Sequence, residues 1–134
     1  MKKHAIAFFL VCFAFSSTAE EKIESWVIYP GKSDSPTIEV WVAGEHDQIT
    51  WKLRSKTGSI IVEKRAPSLP PNYEIVSSFC VIDGQERNDA LVAVEKNNIN
   101  EYHTSHLGVW IASPEKAEFI LTNPKSVSCF NESH

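Results

Sequence analysis

"TIEVWVAGEHDQITWKLRSKTGSIIVEK", residues 37–64, decides the fold. Ile38, Val40 and Val42 alternate with Glu39 and Trp41, and Ile49, Trp51 and Leu53 alternate with Thr50, Lys52 and Arg54. A period of two places each set on its own face of an extended strand. Gly44–Asp47 and Ser55–Gly58 are polar, glycine-containing turns, and Ser59–Lys64 resumes the strand composition. The spacing predicts an antiparallel meander with one apolar and one charged face. Trp41 shares its face with Glu39, which makes it the candidate exposed aromatic.

The pattern extends in both directions. Upstream, Glu24–Tyr29 is a short apolar run stopped by Pro30-Gly31. Downstream, "RAPSLPPNYE" carries Pro67, Pro70 and Pro71. Proline removes a backbone donor and fixes φ, so this stretch is neither helix nor central strand, and it predicts an extended loop joining two halves. Further strands are expected over Glu74–Ile82, Ala90–Glu95, about Tyr102–Ala112, Ala117–Thr122 and Val127–Phe130. The best helical signal is "SPEK", with Ser113 at a cap and Pro114 at the first position, and it supports one turn at most. The expectation is all-β: about eight antiparallel strands in a small sandwich or barrel.

The N-terminus reads differently. Lys2 and Lys3 precede an apolar run, Ala5–Phe15, and small residues at Ser17 and Ala19. These are the parts of a secretory signal peptide, residues 1–19, leaving a single β domain over 20–134. The apolar run is shorter than the roughly 20 residues that span a bilayer, so no membrane span is expected. Val11 before Cys12 is too bulky for lipoprotein processing. The short basic region and apolar run point to a bacterial host and the periplasm, with the extracellular medium as the alternative. Lys2 and Lys3 are two of the 13 basic residues and none of the 17 acidic ones lies in that segment, so the remainder is net −6. Such a domain repels nucleic acid and anionic lipid and suits a cationic partner.

Removal of the leader takes Cys12 with it. Cys80 and Cys129 then form an even pair in an exported chain, which predicts one disulfide. Closing a loop of that length contributes roughly 4 kcal/mol on the chain-entropy account.

Between Cys80 and Val94 lies the acidic loop "DGQERND". Asp83, Glu86 and Asp89 are its weak candidate metal ligands. Calcium wants six to eight oxygens, but Gln85 and Arg87 stand at alternate ligand positions and Val94 stands where a bidentate Glu belongs. Asp83-Gly84 is equally what a hairpin turn requires, and a turn is the expectation. His103 and His106 are three apart. On a strand that spacing sends them to opposite faces, so they are not expected to share a metal.

No Gly-x-Ser-x-Gly elbow, His-Glu-x-x-His pair or phosphate-cradling glycine loop occurs, and no cofactor or catalytic set is expected. A rigid acidic β domain suits binding. The expected role is an exported binding protein, an inhibitor or immunity protein against a cationic cell-wall hydrolase or toxin. The candidate contact residues are Trp41, Glu45 and Asp47 at one turn and Tyr73 beside the proline-rich loop. An accessory or structural envelope protein, or a carrier of a small ligand or metal, is the alternative.

Overall fold

The alternation in residues 37–54 becomes the centre of a four-stranded sheet in a computed structural model that describes residues 19–44, 48–77, 80–96 and 99–132. The expected leader, apart from Ala19, lies outside the described residues, as do Glu45 and Asp47. The first sheet takes its strands in chain order: β1 (Glu20–Val27), β2 (Thr37–Ala43), β3 (Gln48–Arg54) and β4 (Ile60–Arg65). Ile38 pairs with Leu53 and Val40 with Trp51 on one face, while Glu39 pairs with Lys52 on the other. β1 carries a bulge between Lys22 and Glu24.

The other strands form two sheets that interleave along the chain. These strands are β5 (Tyr73–Val76), β6 (Cys80–Ile82), β7 (Gln85–Arg87), β8 (Ala90–Glu95), β9 (Tyr102–His103), β10 (Gly108–Ser113), β11 (Glu118–Thr122) and β12 (Val127–Phe130). The second sheet has the order β11-β10-β8-β5 and the third β7-β6-β12-β9. All pairings are antiparallel, and the three sheets stack as a sandwich rather than closing into a barrel. Among the described residues twelve strands replace the eight or so expected, because two predicted strands divide and β7 forms within the acidic loop read only as a turn. Glu74–Ile82 becomes β5 and β6, and Tyr102–Ala112 becomes β9 and β10, each pair split between the second and third sheets.

The second sheet lies between two cores. Leu91, Ala112 and Phe119 join Ile38, Val40, Trp51 and Leu53 of the first sheet. Ala90, Val92 and Val94 face the opposite way and join Cys80, Ile82, Val127 and Cys129 of the third. This explains the unbroken apolar run "ALVAV": a strand covered on both faces has no solvated side on which to place polar residues. Trp51 is fully buried, with its ring centroid 5.5 Å from that of Trp110 and 5.5 Å from that of Phe119. A Cβ on Gly108 would stand 2.8 Å from the Trp110 ring, so only glycine lets that indole fold back over its own strand.

Cys80 and Cys129 sit opposite each other on β6 and β12 and form the expected disulfide across 49 residues. Asp83 and Gly84 have φ of 50° and 81°, the left-handed pair that a two-residue hairpin turn uses between β6 and β7. At the β10–β11 turn, Ser113 Oγ accepts from the Lys116 amide (3.2 Å), so the expected cap forms over a single turn.

Candidate functional site

Two groups of charged side chains lie near the first sheet, and their surroundings differ. The first covers its outer face. Glu39 is central, with only 7% of its side chain exposed. It accepts from Arg54 Nε (3.0 Å), Arg54 Nη2 (3.0 Å) and Trp41 Nε1 (2.9 Å), and Lys22 Nζ stands 3.8 Å away. Burial pushes the Glu39 carboxyl up, but the hydrogen bonds from Arg54 and Trp41, with the charges of Arg54 and Lys22, outweigh it and hold its pKa below the ordinary value. Lys52 Nζ lies 4.2 Å from the Trp41 ring centroid and pairs with Glu20 (3.1 Å) and Glu63 (3.5 Å). Trp41 is therefore half-buried beneath a cation rather than a free-standing aromatic. This face is internally satisfied and leaves little for a ligand to complete.

The second group is not satisfied. A cavity of about 220 Å³ opens beside β1 and is lined by Glu24, Glu74, Ser77, His103, Asn131 and Glu132, with Phe130 as an aromatic wall. The elements explain the convergence. Glu24 follows the β1 bulge, Glu74 lies on β5, and His103 pairs with Cys129 on the strand that carries Phe130 toward Glu132. Among the described residues no cation pairs with Glu24, Glu74 or Glu132. Glu24 is exposed as a residue, yet partial burial of its carboxyl pushes its pKa up, and the nearby charge of Glu132 adds to the rise. His103 is 3% exposed, and its Nδ1 has no partner. A carboxyl pushed up by burial and a like charge is stabilised by an incoming cation, which reverses the second cause directly.

The chain matches no protein-family model, no curated protein and no solved structure.

A larger cleft, about 750 Å³, adjoins the acidic cavity and shares Glu24, Glu74, Ile75 and Ser77 with it. Its wall includes Val40, Ile49 and Trp51 from the first sheet, Leu91 from the second, and Ala66–Leu69 of the proline-rich connection. Tyr73, expected at a contact surface, lines this cleft. Trp41 lies on the opposite face of the first sheet, so the structure does not bring Trp41 and Tyr73 together.

The aspartates of the acidic loop are engaged within the chain. Asp83 Oδ1 accepts from the amides of Lys125 (2.8 Å) and Ser126 (2.9 Å), which ties the β6–β7 turn to the start of β12. Asp89 accepts both arms of Arg87 at 2.8 Å, and Glu86 is exposed. Asp83 and Asp89 thus serve different partners. Among the described residues no group of three His, Cys, Asp or Glu side chains is arranged to hold a metal ion, and no helix is long and apolar enough to cross a membrane.

The sequence did not single out Glu24, Glu74 or Glu132, and it offered His103 only as half of a His103/His106 pair not expected to share a metal. The one local signal was "EEKIE", residues 20–24, an acidic run on a strand whose outer edge the topology leaves open.

Proposed function

We propose that residues 20–134 form an exported binding protein that engages a cationic protein, of the class of basic cell-wall hydrolases and toxins, and blocks it without catalysing a reaction. The observation that carries this reading is the acidic cavity, where Glu24, Glu74 and Glu132 converge with no cation among the described residues. A lysine or arginine side chain is the complement such a cavity lacks, and a desolvated charge pair of this kind is a frequent interface anchor. The outer edge of β1 adds a row of backbone groups beside it. Net negative charge speeds encounter with a basic enzyme. The leader-like N-terminus supports export to the periplasm, where such enzymes act.

The test is direct binding of the oxidised mature domain to a panel of basic peptidoglycan hydrolases, with residual hydrolase activity measured in parallel. Binding that weakens with salt and is lost in Glu24→Lys, but kept in Glu86→Lys, supports the reading. No binding and no inhibition across the panel at low salt rejects it.

A further inference from the structure

The acidic cavity and the larger cleft are continuous in their walls, because Glu24, Glu74, Ile75 and Ser77 belong to both. Together they have a polarity that neither has alone. The cleft runs beneath the first sheet from Ile23 on β1, past Val40 and Trp51, to Arg65 at the end of β4. With strands about 4.8 Å apart, three spacings make a trough of about 14 Å. Its lining sets aliphatic and aromatic side chains beside Gln48, Arg65 and Lys96, so its two cations lie along the trough and its carboxylates at the β1 end, and its size is that of a small-molecule site. At the β1 end it meets the unpaired carboxylates, the buried imidazole of His103 and the ring of Phe130.

We propose that this compound cleft binds an amphipathic amine: an apolar chain or ring along the trough, with its ammonium head in the acidic cavity. Glu24, Glu74 and Glu132 neutralise the head. Phe130 offers the aromatic wall that an ammonium group favours. His103 stands in the cavity wall with its Nδ1 sealed from solvent, so the carboxylates and not the imidazole meet the head. The apolar part lies along Ile49, Ala66, Pro67 and Leu69, with the fully buried Trp51 behind them, so charge and shape, not the indole, define the ligand class. The inference uses the same carboxylates as the proposed protein contact but requires no protein partner.

The experiment titrates the oxidised mature domain with decylamine, decanol and decanoate, all below their aggregation limits, by calorimetry and by tryptophan fluorescence. Decylamine is expected to bind at least about tenfold more tightly than decanoate, with decanol between them. The double variant Glu24→Gln, Glu132→Gln changes two exposed side chains and should keep the fold, verified by circular dichroism. It is expected to lose at least about tenfold in decylamine affinity while decanol binding stays unchanged. Equal binding of decylamine and decanoate, an unaffected double variant, or no decylamine binding up to about 1 mM would each overturn the proposal. A negative hydrolase panel with decylamine bound rejects only the protein-partner reading, and the reverse result rejects only this one.

Discussion

The outer face of the first sheet and the acidic cavity at its edge each hold a glutamate of the same sheet, yet the two carboxyls behave oppositely. On the outer face, Glu39 has two arms of Arg54, the Trp41 indole and Lys22 around it, and its pKa falls. At the cavity, Glu24 has partial burial and Glu132, and its pKa rises. Both carboxyls lie on neighbouring strands of one sheet. What separates them is whether the fold supplies the countercharge. Where it does, the cluster is structural. Where it does not, the charge is available to something outside the chain. An acidic composition is compatible with either state, and only the pairing distinguishes them.

The largest expected effect comes from removing the disulfide. Cys80→Ser with Cys129→Ser should cost about 4 kcal/mol in denaturant unfolding. The loss should be felt first at the cavity, because Phe130, Asn131 and His103 hang from the bridged strand. Hydrogen exchange should quicken in β9 and β12 while β2 and β3 keep their protection. Equal loss in both regions would show that the outer-face network depends on the bridge.

Next in size is Glu39→Ala, expected to cost about 2–3 kcal/mol by removing charge-assisted hydrogen bonds at a buried acceptor. A pKa lowered on folding stabilises the native state above the ordinary carboxylate range, and that stability is lost as pH falls through the lowered value. The gap between wild type and Glu39→Gln should therefore close as pH falls below the ordinary carboxylate range and through the lowered value. A gap that does not change with pH would mean that the network contributes by packing rather than by charge.

Glu24→Lys should leave folding nearly intact and abolish cation recognition at the cavity, read as a loss of at least about tenfold in decylamine affinity. The smallest effect is on stability at the same position. A pKa raised on folding means the ionised carboxyl is disfavoured in the native state, so its cost appears as pH rises through the raised value. Glu24→Gln should raise Tm by no more than about 2 °C at about pH 7, with no change at about pH 3. A lowered Tm at neutral pH would mean that the carboxylate has a partner and that the contrast with Glu39 is false.

The first sheet was legible because Ile38–Val42 and Ile49–Arg54 alternate without exception and their turns contain glycine. The disulfide was legible from the cysteine count, and the Asp83-Gly84 turn from its dipeptide. The division of the later strands was not. "YEIVSSFCVI" contains neither proline nor glycine, so nothing local marks the step from the second sheet to the third. That step is set by which core each half can fill, a tertiary fact. The acidic cavity was hidden for a related reason. Glu24, Glu74, His103 and Glu132 are far apart in the chain and meet only once three sheets are in place. Of the two aromatic contact candidates, Tyr73 lines the cleft and Trp41 lies beneath Lys52 on the opposite face, a separation that their distance in the chain does not reveal.

The division of the strands also orders the assembly of the molecule in time. β1 to β4 pair only with their sequence neighbours, so their hairpins can close on the microsecond scale. The second and third sheets alternate along the chain from Tyr73 to Phe130, and β8 cannot bury both faces until both cores exist. That half must condense as one unit, and non-local closure of this kind is slow. β1 is an edge strand, paired to β2 on one side and tied to the interleaved half by the hydrogen bond from Trp26 Nε1 to the Asn88 carbonyl. A visitor to the acidic cavity therefore meets walls that formed at different stages of folding, one from each half.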